Sequence, residues 1–301
     1  MKTKLFLLFT SIIYLNINAQ IVVEHIISTD VDGASSIFAG DFDGDDNMDV
    51  LSAAAFGNSI DWWENDGNAT NFTRHNISTD VDFPFQVYAA DIDGDNDMDV
   101  FYVTADDDKL AWHENDGAGN FGPQQLITAQ ANTDELRFLD IADIDGDGLD
   151  DVLSASLNDN KIAWYKNLGN GDFGDINTNQ RIISDIEIGA FSVHATDIND
   201  DGKMDVVAAS FIGNEIIWFR NINPLNNDWE RKIIDIERDG ALSVSSADFD
   251  GDGTMDLVSA SQRDNTIAWH KNINGDGSEW ENIIVTDTAI KAAFVYATNY
   301  D

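Results

Sequence analysis

The sequence has no cysteine, only three prolines and sixteen basic residues among 301, and no long apolar run after its first twenty positions. Each shortage excludes something. Without cysteine, an exported chain cannot use disulfides for rigidity, and a lipid anchor on a cysteine after a leader is excluded. Sixteen Lys and Arg stand against fifty-six Asp and Glu, a formal net charge of −40. Nucleic acid and anionic membrane surfaces both need a basic face, so neither is expected as a partner. No stretch past residue 20 approaches the roughly 20 apolar residues that span a bilayer, so membrane insertion is not expected. The prolines, Pro84, Pro123 and Pro224, fall in loops or at a strand edge.

What is present begins with a leader. MKTKLFLLFTSIIYLNINAQ has Lys2 and Lys4, an apolar core from Leu5 to Leu15, and Ala19 before a cleavage site INA-Q. Residues 1–19 are expected to be a secretory signal peptide, leaving a secreted or cell-surface chain. Apolar residues make up 43% of the sequence, with eight Trp and seventeen Phe, too much core material for a disordered acidic coil. Salt adaptation would spread acids over the whole surface, whereas here they cluster.

The clusters repeat. GDFDGDDNMDV at 40–50 returns as DIDGDNDMD from Asp91, DIDGDGLDD from Asp143, DINDDGKMD from Asp197 and DFDGDGTMD from Asp248. Trp62, Trp112, Trp164, Trp218 and Trp269 each lie 21 residues after the first Asp of their loop. An Asn follows three positions later every time: Asn65, Asn115, Asn167, Asn221 and Asn272. Length variation is confined to the stretch between that Trp and the next acidic loop.

Each unit of about 50 residues reads as four short strands: an apolar stretch such as QVYAA (86–90), a small and β-branched run such as DVVAAS (205–210), an alternating strand such as KIAWYKN (161–167), and one opened by an aromatic, such as WERKIID (229–235). Four strands per unit predict an all-β chain, a β-propeller of four-stranded blades over residues 21–301. A β-solenoid is the runner-up, although its coils are usually shorter. Separate sandwiches are excluded because 50 residues are too few for each to hold a core.

Numbered from their first Asp, loops 1, 2, 3 and 5 carry Asp at positions 1, 3, 5 and 9, and loop 4 has Asn199 at position 3. Position 7 varies freely, as expected if only its backbone carbonyl coordinates. Crowded carboxylates repel unless neutralised, and alternating oxygens closed by a carboxylate wrap a hard cation. All-oxygen ligation favours calcium over zinc or copper, and magnesium prefers fewer protein ligands. An EF-hand would need Glu at position 12; here it is Ser52, Tyr102, Ser154, Ala208 and Ser259, and the flanks are strands. Loop 4, with Asn199 and Lys203, is expected to bind most weakly. The five loops hold 23 of the 56 acidic residues, so the charge cluster and the metal site are largely one fact.

These units resemble the FG-GAP/VCBS repeats of integrin-α-like β-propellers, on the strength of the repeated acidic loop followed by I-x-W-x-x-N. The resemblance implies that the loop joins the first and second strands of a blade and binds calcium, at about five sites. The implied ligands are Asp41, Asp43, Asp45, Asn47 and Asp49 in loop 1, and Asp91, Asp93, Asp95, Asp97 and Asp99 in loop 2. Loop 3 would supply Asp143, Asp145, Asp147, Leu149 and Asp151, loop 4 Asp197, Asn199, Asp201, Lys203 and Asp205, and loop 5 Asp248, Asp250, Asp252, Thr254 and Asp256. It also implies that the opposite face, with SLNDNK (156–161) and SQRDNT (261–266), meets partners. The family's Phe-Gly and Gly-Ala-Pro signatures are not clearly present.

The five histidines give no catalytic pattern. His113 and His270 share a repeat position with Trp63, Tyr165 and Phe219, a strand position open to amphipathic side chains. No nucleophile elbow or phosphate-binding glycine loop occurs. Two functions fit: a non-catalytic binding or adhesion module for an extracellular glycan or protein, or a polysaccharide-active lyase or hydrolase on the same scaffold. An enzyme would be expected to break the repeat with a cluster of unique side chains. Only Arg137, Arg263 and Lys291 look irregular near the partner face, so binding is the expected role.

At the C-terminus FVYATNYD aligns with QVYAADID, so a truncated sixth loop is expected to start at Asn299. At the other end EHIISTDVD (24–32) repeats RHNISTDVD (74–82), so residues 21–28 are expected to be the fourth strand of a blade whose first three strands are missing. Four blades, and a fifth if it closes on WENIIVT (280–286), are expected to be complete. The propeller is expected to be six- or seven-bladed when complete, and incomplete in this chain.

Overall fold

The small and β-branched run after each acidic loop forms the second strand of a four-stranded antiparallel sheet. Five such sheets follow one another in the computed structural model, which describes residues 26–129 and 133–297. Blade 1 contains β1 (Ala34–Gly40), β2 (Asp49–Ala54), β3 (Ser59–Asn65) and β4 (Phe72–Ser78). Blade 2 contains β5 (Pro84–Ala90), β6 (Asp99–Thr104), β7 (Leu110–His113) and β8 (Gln125–Thr128). Blade 3 contains β9 (Leu136–Ala142), β10 (Asp151–Ser156), β11 (Lys161–Tyr165) and β12 (Gln180–Ser184). Blade 4 is β13 (Ala190–Thr196), β14 (Asp205–Ser210), β15 (Glu215–Asn223) and β16 (Asp228–Asp235). Blade 5 is β17 (Ala241–Ala247), β18 (Asp256–Ser261), β19 (Thr266–Asn272) and β20 (Trp280–Thr286). WENIIVT is β20 and pairs with β19, so the fifth sheet has all four strands.

Spatial order follows chain order in every sheet, a meander of hairpins. The burial pattern explains the composition. Strands β6, β10 and β14 are buried at every position, because both faces of a blade are covered by its neighbours. Outer strands such as β4 and β20 alternate between half-buried and exposed positions. The cores therefore lie between blades rather than within them. Trp112 and Phe101 of blade 2 pack with Leu139, Val152 and Tyr165 of blade 3, and Trp164 and Leu153 with Val206 and Phe219 of blade 4. Each fully buried large side chain contributes about 1.5–3 kcal/mol, and none of these cores exists in a single blade.

Inner strands meet around the axis. Phe38 stands 5.0 Å from Tyr88, and Phe85 stands 5.5 Å from Phe191. His194 on β13 bridges three blades, with Nδ1 3.0 Å from Asp140 Oδ2 on β9 and Nε2 3.0 Å from Ser246 Oγ on β17. Residues 294–297 run beside β17, where the Val295 and Ala297 amides donate to Ser243 and Ser245 hydroxyls, each at 3.3 Å.

Two terminal expectations meet the structure differently. Of residues 21–28, expected as a fourth strand, 26–28 lie in no strand, and 21–25 lie outside the described residues. The signal peptide and the truncated loop from Asn299 lie outside the described residues.

Candidate metal centres

Each acidic loop is the hairpin turn between the first and second strands of its blade, so all five lie at one end of the propeller. The first Asp organises the turn. Asp41 Oδ1 accepts the Gly44 amide at 2.9 Å and the Asp45 amide at 3.3 Å, and its Oδ2 accepts the Asp46 amide at 2.9 Å. Asp91, Asp143 and Asp248 repeat the arrangement. Position 4 has a left-handed backbone, with φ near 75° at Gly44, Gly146 and Gly251. Glycine suits it because it has no Cβ. Loop 4 places Asp200 there instead, at φ 55°.

Position 9 anchors the loop to the third strand. Asp49, Asp99, Asp151, Asp205 and Asp256 are at most 1% exposed. In each, Oδ1 accepts the amide of the recurring Asn (65, 115, 167, 221 or 272) at 2.7–2.9 Å. The other oxygen takes the Trp indole N–H in blades 1 and 5, from Trp62 at 2.9 Å and Trp269 at 3.0 Å. In those two blades one carboxylate thus ties the Asp, Trp and Asn together, and in all five it ties the Asp to the Asn. Burial pushes Asp99 and Asp151 up to about 7 and Asp205 up to about 6, against the Asn amide bonds that pull them down.

The same Asn clasps the neighbouring blade. Asn115 Nδ2 donates to Phe42 O at 2.9 Å, Asn167 to Ile92 O at 2.8 Å, Asn221 to Ile144 O at 2.9 Å and Asn272 to Ile198 O at 3.0 Å. Each acceptor is position 2 of the preceding blade's acidic loop. Consecutive loops are thus tied together by side-chain amides, a role that the sequence spacing does not reveal.

Carboxylate oxygens converge to within 4.8 Å of one another in four loops: Asp41, Asp43 and Asp45; Asp91, Asp93 and Asp99; Asp143, Asp145 and Asp147; Asp248, Asp250 and Asp256. Any of these groups could hold a divalent metal ion. Loop 4 gathers no such trio among the described residues, since Asn199 replaces one carboxylate. Burial first, then neighbouring carboxylates, raises Asp43 and Asp93 above the usual range, which marks charge lacking a counter-ion. The donors are all oxygen, and Asp145 Oδ1 is buried with no hydrogen-bond partner, so the chemistry fits a hard cation.

Position 7 turns its amide onto position 5: Asn47 to Asp45 Oδ1 at 2.8 Å, Asp97 to Asp95 Oδ1 at 3.0 Å, and likewise at Leu149, Lys203 and Thr254. The Lys203 ammonium points away from the carboxylates to Ile222 O, 2.8 Å away. Cations come instead from an unexpected place, the residue two after the Trp. Lys166 Nζ contacts Asp145 and lies 2.5 Å from Asp147. Lys271 contacts Asp250 and is 3.5 Å from Asp252, and Arg220 lies 3.5 Å from Asp201. The hydrogen bond from Lys166 holds Asp147 below the ordinary carboxylate range. The signal was legible as a charge reversal between repeats at one fixed position.

Several polar side chains outside the loops have structural partners. The position-12 residue pairs with the one after the Trp, as in Trp63 Nε1 to Ser52 Oγ at 2.8 Å and His270 Nε2 with Ser259 Oγ at 2.8 Å. His113 Nδ1 lies 2.8 Å from Gly122 O. Arg137 stacks on Phe85 and Phe191 and is largely buried, whereas Arg263 lies over Phe211 and is 44% exposed. The Lys291 amide donates to Asn265 Oδ1 at 2.9 Å.

The FG-GAP-like repeat profile matches the chain five times, over residues 41–102, 93–154, 143–208, 197–259 and 248–301. No curated protein sequence matches it. Among solved structures it is similar to an Agrocybe aegerita lectin that recognises non-reducing terminal N-acetylglucosamine, at 19% identity and a TM-score of 0.57. That match covers 83% of this chain and 66% of the lectin, so the chain spans just under two thirds of the lectin's length. A streptogramin B lyase is similar at 13% identity and a TM-score of 0.59, over 92% of this chain and 77% of that one. A chain of a nidogen/laminin complex follows at 13% identity and 0.55, over 88% and 85%. At these identities the likeness shows the propeller fold alone.

Proposed function

The chain belongs to the FG-GAP-like repeat family, and from that premise we propose that it is a secreted, calcium-binding β-propeller acting without catalysis as a binding or adhesion module for an extracellular glycan or protein. The observation that carries this reading is the convergence of three carboxylates within 4.8 Å in four equivalent loops. Oxygen-only donors in a flexible loop suit calcium better than magnesium or a transition metal. Positions 1, 3, 5 and 9 would supply side-chain oxygens and position 7 its backbone carbonyl, in each of the five loops. With about five ions bound, a cysteine-free chain gains the staples that disulfides would otherwise provide.

The opposite end supports the partner-binding role. It carries the turns between second and third strands and the connections between blades. Phe56, Ile186, Ile188, Ile212 and Ile236 are all more than half exposed there, and Arg263 is 44% exposed. Exposed apolar side chains at that end offer a partner surface to bury. The N-terminal leader pattern supports export, and the charge of −40 argues against nucleic acid or an anionic membrane as the partner.

The test measures melting with calcium and with chelator, then binding to a glycan array and a panel of extracellular-matrix proteins in both conditions. Each site adds about 1.4 kcal/mol when free calcium is tenfold above its dissociation constant. Three sites alone should therefore raise Tm by about 10 °C. A Tm indifferent to chelation overturns the calcium reading. Depolymerisation of a polysaccharide by the purified chain would replace the binding role with the lyase or hydrolase reading.

A further inference from the structure

One position in the repeat changes sign around the propeller. Two residues after the recurring Trp, in the third strand or directly after it, stand Glu64 and Glu114 in blades 1 and 2, but Lys166, Arg220 and Lys271 in blades 3, 4 and 5. The third strand runs back beside the acidic loop, so this side chain meets the loop from the flank. In blade 3 the Lys166 ammonium lies between positions 3 and 5, touching Asp145 and 2.5 Å from Asp147. Both carboxylates belong to, or directly adjoin, the convergent group a divalent ion would bridge. Asp145 is 2% exposed, and its second oxygen has no hydrogen-bond partner, so the lysine neutralises only part of the donor set. Lys271 repeats the contact in blade 5 with Asp250 and Asp252, and Arg220 reaches Asp201 in blade 4 at 3.5 Å. In blade 1 Glu64 instead pairs with His75 at 2.7 Å, and this position brings no cation to the loop.

We propose that this residue sets the calcium affinity of each blade: Glu64 and Glu114 make loops 1 and 2 strong sites, whereas Lys166, Arg220 and Lys271 are built-in counter-ions that a calcium ion must displace from loops 3, 4 and 5. The inference rests on the calcium reading above and extends it to a division of labour. Affinity in oxygen-ligand sites follows the charge of the ligand set, and Glu to Lys changes that charge by two. Lysine is suited to yield, because its four-carbon stem can carry the ammonium out to solvent without moving the loop. Loops 3 and 5 therefore stay ordered without metal, each held by its lysine. Loops 1 and 2 have no such substitute and depend on the ion. Loop 4 is doubly weakened, by Arg220 and by Asn199 in place of a carboxylate. Calcium withdrawal would thus loosen one side of the ring first.

Two measurements on the full chain test this. Calorimetric titration with calcium alone should resolve two stronger sites from the rest. Lys166→Met with Lys271→Met should tighten the weaker class at least tenfold, and Glu114→Lys should move one strong site into it. Amide exchange in chelator should find residues 41–49 and 91–99 less protected than 143–151 and 248–256. Lys166→Met should then lower protection at 143–151, while Glu114→Lys raises it at 91–99. Wild-type sites of equal affinity, or lysine variants that bind calcium no tighter, overturn this inference and leave the calcium reading standing. A wild-type chain that takes up no calcium overturns both.

Discussion

Replacing Asn167 by alanine removes one of the side-chain clasps between consecutive acidic loops, and the cost can be worked from its bonds. Asn167 is fully buried. Its Nδ2 donates to Ile92 O at 2.8 Å in blade 2 and to Asp150 O at 3.2 Å in blade 3, and its Oδ1 accepts the Gly169 amide at 2.9 Å. Each bond is worth about 1 kcal/mol net, and two carbonyls are left without their donor, so the loss should be about 3–4 kcal/mol. Asn65→Ala is the comparison. It also loses three side-chain bonds, to Met48 O and from the Gly67 and Ala69 amides, but all lie within blade 1. Urea titration in saturating calcium, followed by tryptophan fluorescence, measures the loss, and amide exchange locates it. Asn167→Ala should raise exchange in both 91–99 and 143–151, whereas Asn65→Ala should raise it only within blade 1. A loss below about 1 kcal/mol, or exchange that rises at 143–151 alone, would refute the clasp.

Other outcomes follow from the same geometry. Burial first, then the charges of Asp134, Asp107, Asp159 and Asp106, pushes Asp108 up to about 6. The folded state thus holds that proton more tightly than the unfolded chain, and stability is gained as pH falls through 6 toward 3.8. Asp108→Asn keeps an acceptor for the Glu135 amide and suits the local φ of 54°. Its melting temperature should exceed that of the wild type at pH 8 and lose most of that advantage by pH 4.5; an advantage that grows on acidification would contradict the assignment. A Cβ on Gly171 would stand 2.5 Å from the Trp112 ring at φ +66°. Gly171→Ala should therefore cost at least about 2 kcal/mol, from left-handed strain plus overpacking. Gly202→Ala, at φ +80° with nothing within 4 Å, should cost only the strain. Equal losses by denaturation would show that the Trp packing does not matter.

What the sequence determined alone is everything set by local spacing. A 21-residue interval from Asp to Trp and three more to Asn, repeated five times, fixes a constant half-blade, because a hairpin of given strand lengths admits one register. The alternating acids at positions 1, 3, 5 and 9 likewise announce a turn wrapping its oxygens inward. Tertiary structure decided what depends on residues far apart in the chain. Asn115 and Asn221 meet carbonyls 73 and 77 residues earlier, a contact set by how blades stack. The composition of Lys203 suggested a cation within loop 4, yet its ammonium turns to Ile222 O. The cations that reach the carboxylates arrive from the third strand, Lys271, or the residue directly after it, Lys166. His194 holds three blades together through partners more than 50 residues away on either side. Residues 26–28 align with the last three positions of β4 in sequence yet lie in no strand, because a strand exists only beside a partner whose backbone groups it can satisfy.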